Sequence, residues 1–90
     1  MKPLPEGVAP YSRTPSFTAE TTPAALRADH ATKPGVWGVI MVEAGRVTYA
    51  IPSTGERHDL VANRPGIVEP EVRHRVTPSD DARFFVEFHR

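Results

Sequence analysis

At 90 residues, with eleven Lys and Arg against eleven Asp and Glu and four His besides, the chain has room for one small core and carries no net charge. The first limits it to a single domain, and the second removes the field that draws proteins onto nucleic acid or anionic lipid. The absence of cysteine excludes disulfide frameworks, thiolate zinc sites and cysteine nucleophiles and fits a reducing compartment.

The first 22 residues read as a proline-rich arm ahead of a domain at 23–90, because six of the ten prolines (Pro3, Pro5, Pro10, Pro15, Pro23, Pro34) fall within the first 34 positions. Each fixes φ and removes a backbone donor, which disfavours long helices and central strands. Val8, Tyr11 and Phe17 give the arm apolar side chains with which to lie across a surface. From Pro23 to His30 the sequence PAALRADH suits a helix by composition, but Ala24, Leu26, Ala28 and His30 also alternate, and a strand is expected. A turn at Thr32 to Gly35 then leads to Val36–Val42, a β-branched and aromatic run too short for a helix. Val36, Ile40 and Val42 are expected inward around Gly38, with Trp37, Val39 and Met41 on the other face. That run is also far below the ~20 residues of a membrane span, and no charged-then-apolar leader precedes it, so the chain reads as cytoplasmic and without a membrane partner.

Past Glu43-Ala44-Gly45, alternation of Val47, Tyr49 and Ile51 predicts an antiparallel partner for the preceding run. Proline and glycine turns then separate predicted strands at His58–Ala62, Ile67–Glu69, Val72–Thr77 and Ala82–His89. Many short strands at about 8–12 residues per repeat predict an all-β sandwich or barrel.

Two histidines stand out in this pattern. Val72, His74 and Val76 share one strand face while Arg73 and Arg75 point outward, and His30 ends the row of Ala24, Leu26 and Ala28. Inward histidines from separate strands can converge, and neutral imidazole is the commonest metal ligand. The competing reading is a pair of hydrogen-bonded core histidines. Glu69, in the bend before the His74 strand, could complete a two-His-one-carboxylate set for a divalent ion such as Zn, Ni, Fe or Mn. Lys33, three residues from His30, could offer a positive charge to an anionic ligand. His58 is expected to be exposed after its glycine turn, and His89 lies opposite Phe84, Val86 and Phe88. Any affinity resting on the two imidazoles is expected to fall below about pH 6.5, where an unperturbed histidine takes up a proton. The chain has no G-x-S-x-G, P-loop or G-x-G-x-x-G signature.

The stretches His30-Ala31-Thr32-Lys33-Pro34-Gly35-Val36-Trp37-Gly38 and Val68-Glu69-Pro70-Glu71-Val72-Arg73-His74-Arg75-Val76, with Arg13-Thr14-Pro15-Ser16-Phe17 in the arm, resemble the small cupin domain of the tellurite-resistance TehB/YeaR-like family. The resemblance implies a double-stranded β-helix, that is, a small antiparallel barrel or jelly roll, and a tie to oxyanion or metal stress. It supplies no reaction, because the methyltransferase domain of the longer relatives lies outside this sequence. With Gly45 set on the last glycine of the general cupin metal motif, Gly38 falls at its glutamate and the histidine positions fall on Thr32 and Pro34 or on Ala31 and Lys33. His30 is then the nearest substitute, and His74 matches the histidine of the second motif. Three functions follow as expectations: a module binding a metal ion or small anion, a metal-dependent enzyme acting on a small molecule, or an interaction domain with structural histidines. A homodimer is expected in any case, because Trp37, Val39 and Met41 form an apolar face outside the barrel.

Overall fold

Period-two alternation organises nearly every strand of the computed structural model, which describes Met1–Arg90. The arm contributes two short strands, β1 (Pro10–Arg13) and β2 (Phe17–Thr18), both antiparallel to the C-terminal strand. Next comes α1 (Ala24–Arg27), a single helical turn where the alternation predicted a strand. Ala, Leu and Arg favour helix, and a helical turn satisfies its own backbone, whereas a strand needs an open edge beside it. Only at His30 does the chain reach such an edge, exchanging two backbone hydrogen bonds with His74 (3.0 and 2.8 Å).

The remaining strands are β3 (Trp37–Ala44), β4 (Val47–Ile51), β5 (Glu56–Leu60), β6 (Gly66–Val68), β7 (Arg75–Pro78) and β8 (Arg83–His89). They form two antiparallel sheets, one in the order β1-β8-β3-β6 with β2 also on β8, the other in the order β5-β4-β7. The expected barrel is therefore not closed: no ladder joins the two sheets. Closure needs unbroken pairing around the ring, and here the outer strands are short and bounded by Pro52, Pro65, Pro70 and Pro78, which donate nothing. The hairpin expected between Val36–Val42 and Val47–Ile51 is likewise divided, because β3 pairs with β8 and β6 while β4 pairs with β5 and β7.

The core lies between the sheets. Ile40, Val42, Val68, Phe84 and Val86 come from one side and Val47, Tyr49, Ile51, Leu60 and Val76 from the other. Buried Tyr49 donates its hydroxyl to the Ile67 carbonyl at 2.8 Å, so its polar end is satisfied. The turn at Gly45 admits no other residue easily: its φ is +66°, and a Cβ there would stand 2.8 Å from the backbone of Ala82. On the outer face of β3, Val39 is buried and Trp37 and Met41 are half-buried. Phe85 stands beside Met41, with the Arg13 guanidinium 4.7 Å from its ring centre. No helix is long and apolar enough to cross a membrane.

Candidate functional site

The short segment after Pro70 controls where the functional side chains go. Glu71 takes a left-handed conformation (φ 64°), and its N–H donates to the Thr32 carbonyl at 3.2 Å. The chain thus turns before β7, which begins only at Arg75, and His74 is set against His30 as an isolated antiparallel bridge. Directly opposed residues of such a bridge project their side chains to the same side. The two imidazole centres are 4.2 Å apart and their planes tilted by 51°.

A backbone carbonyl sets the tautomer of each ring in its neutral form. The Nδ1 of His30 lies 3.3 Å from the Ala28 carbonyl and that of His74 lies 3.2 Å from the Val72 carbonyl. A carbonyl only accepts, so in the neutral rings Nδ1 carries the hydrogen and Nε2 carries the lone pair. His74 is 4% exposed. Burial pushes its pKa down from 6.5 to about 4 and adjacent His30 adds to the effect, against the opposing pull of the Val72 carbonyl and Asp29. His74 is neutral at physiological pH, and its ring meets that of Tyr49 nearly at right angles (84°), with ring centres 5.6 Å apart.

The pair sits at the narrow end of a funnel. An inner chamber of about 50 Å³ is bounded by both histidines, Gly38, Ile40, Val68, Val76 and Val86, and by Thr14 of the arm. A Cβ at Gly38 would stand 3.2 Å from that of Val68 and encroach on this space. Leu26, His30, Thr32 and Phe88 line this chamber and also an outer one of about 330 Å³, whose remaining walls are Tyr11, Ala31, Lys33 and Val36. Lys33 is exposed on this outer wall.

Glu69 does not join the histidines. It faces a second cavity of about 250 Å³, with Tyr49, Thr54 and Glu56 among its lining, and pairs with Lys2 at 2.9 Å. The three-donor set expected from the sequence is therefore not assembled, and no three His, Cys, Asp or Glu side chains converge anywhere. The turn at Pro70 and Glu71 accounts for this, because it separates the carboxylate from His74 by a reversal that strand alternation does not register. His58 is half-buried and not exposed, its Nε2 3.0 Å from Glu56 Oε1. His89 is buried on the opposite face of β8, its Nε2 2.8 Å from Glu87. Sequence reasoning missed the contribution of the arm: Tyr11 and Thr14 line the funnel, and the Thr14 hydroxyl accepts the Val86 N–H at 3.0 Å. The only signal for this was the apolar spacing of Val8, Tyr11 and Phe17.

Residues 12–86 match the TehB-like domain family. Among solved structures, TehB from Haemophilus influenzae superposes with a TM-score of 0.82 at 27% identity over 93% of this chain. That match takes in 32% of the larger protein, so the chain spans about a third of it. A protein from E. coli (strain K12) superposes with a TM-score of 0.91 at 24% identity, covering 100% of this chain and 97% of its own. That second likeness concerns the fold alone. No curated protein matches the sequence.

Proposed function

This chain belongs to the TehB-like domain family, a family related to tellurite resistance, and on that premise we propose that it is a binding module which takes a divalent metal ion on His30 and His74. We read its two facing sheets, with a funnel between them, as an open jelly roll of cupin type. The observation that carries the metal reading is the shared hydrogen-bond pattern of the two rings. With both Nδ1 atoms engaged by carbonyls, both Nε2 atoms keep their lone pairs, and both residues line one small chamber. Second-layer carbonyls of this kind orient metal-binding histidines in general. A bare anion would need donors at the floor, and neutral imidazoles with this tautomer present none, so a cation fits better than an anion there. Two imidazoles fall short of the three protein ligands of catalytic zinc sites, which favours binding over catalysis and leaves coordination positions for water or an oxyanion. The lowered pKa of His74 moves proton competition at that ring from near 6.5 toward about 4.

Calorimetric titration of Zn²⁺ or Ni²⁺ into metal-stripped protein made without a histidine tag should give one site per chain. His30→Ala and His74→Phe should each weaken it at least tenfold. Equal affinity in either variant would leave the histidines structural. A second reading, an interaction domain, draws on the half-buried outer row of Trp37, Met41 and Phe85 as a contact for a second copy. Light scattering at micromolar concentration should then return a dimer mass, and a monomer mass would reject it.

A further inference from the structure

The funnel divides chemically along its length. Its outer chamber, about 330 Å³, is at the small end of the ~300–1,000 Å³ typical of ligand pockets, and Leu26, Val36 and Phe88 give it apolar walls. No aspartate or glutamate lines either chamber, whereas the second cavity of the molecule has two, Glu56 and Glu69. Those two carboxylates are paired, Glu56 with the N-terminal ammonium and Glu69 with Lys2. The one full charge on the funnel wall is Lys33, and it makes no ion pair with any carboxylate of the chain. The Lys33 carbonyl accepts the Val36 N–H at 3.1 Å, so the turn carrying the ammonium is tied to the apolar wall beside it. An apolar trough with a single unpaired cation complements a molecule with one anionic end and one apolar body.

We propose that the outer chamber binds a small amphipathic carboxylate, its alkyl body on Leu26, Val36 and Phe88 and its carboxylate on Lys33. The site shares the funnel with the metal reading above but does not depend on the metal, and the inner chamber is too narrow for the alkyl body.

The test is an NMR titration of the metal-free protein, in the presence of a chelator, with acetate, butanoate, hexanoate and 1-hexanol. Hexanoate should shift the resonances of Leu26, Val36 and Phe88, with affinity rising about threefold per added methylene as apolar surface is buried. Lys33→Gln should weaken hexanoate about fivefold and leave 1-hexanol unchanged, while Lys2→Gln, at the second cavity, should change neither. Acetate binding as tightly as hexanoate, shifts clustered around Glu56 and Glu69, or a Lys33→Gln variant that binds hexanoate like wild type would each overturn the proposal. Binding of hexanoate only when a divalent ion is added would also overturn it, by moving the carboxylate onto the metal. Because the titration is run without metal, a failure of the metal reading leaves its outcome intact, and its own failure leaves the metal titration standing.

Discussion

Truncating Phe84 to alanine should lower the free energy of unfolding by about 3–5 kcal/mol, the usual cost of deleting a fully buried aromatic side chain. Phe84 is 0% exposed and sits on β8, the strand to which β1, β2 and β3 all pair. Its ring centre is 5.7 Å from that of Phe17 at an interplanar angle of 60°, so it joins the arm to the sheet as well as filling the core. Deleting it leaves a cavity between the arm and the sheet. Small domains have about 5–15 kcal/mol of stability in total, so this one change removes a large share of it. Tm should fall on the order of 20 °C. Phe84→Leu, which keeps most of the volume, should cost much less. Chemical denaturation of both variants checks the expectation, and a loss below about 1 kcal/mol for Phe84→Ala would show that the arm and β8 are not packed as described.

Acidifying the metal-free protein from pH 7 to pH 4 should destabilise it on the order of 2–3 kcal/mol through His74 alone. In the unfolded chain this histidine takes up a proton near pH 6.5, while in the folded state burial holds it neutral down to about pH 4. Across that window the unfolded state binds more protons than the folded one, so stability rises with pH and is lost as pH falls from 6.5 to 4. Below about 4 both states are protonated and this loss is complete. Glu56 acts in a lower window. The N-terminal ammonium first, then Thr54 and His58, hold its carboxyl at about 2, so the stability it confers is lost as pH falls from its ordinary 4.5 through 2. Thermal unfolding followed from pH 7 to pH 2 separates the two effects, His74 above pH 4 and Glu56 below it. His74→Phe, which keeps a ring against His30 and Tyr49 and removes the proton site, should flatten the profile between pH 6.5 and 4. An equally steep profile in that variant would assign the pH dependence to another group.

Local pattern carried a good deal of this protein. Alternation at Val47, Tyr49 and Ile51, at Ile40 and Val42, and at Phe84 and Val86 marked residues that are buried between the sheets, because side chains in a half-buried strand must alternate between core and solvent. The proline and glycine turns placed most strand boundaries within two residues, since those residues restrict φ or remove a donor wherever they stand. His74 was legible as an inward histidine for the same reason. His30 met it as expected, but through a single bridge after a helical turn and not along a strand.

What tertiary structure alone decided was everything that depends on a partner distant in sequence. Residues 24–27 fit helix and strand about equally on their own, and in the folded chain they form one helical turn beside β7, with pairing beginning only at the bridge of His30 to His74. The position of Glu69 turned on one left-handed residue, Glu71, whose N–H is engaged by Thr32 nearly forty positions earlier. The arm became two strands because β8 offered an open edge, and the two sheets stayed apart because their outer strands are short and interrupted by proline. Side-chain periodicity records which way a residue points along its own strand, but hydrogen bonds between strands are chosen by competition among all available edges, and no local sequence contains that list.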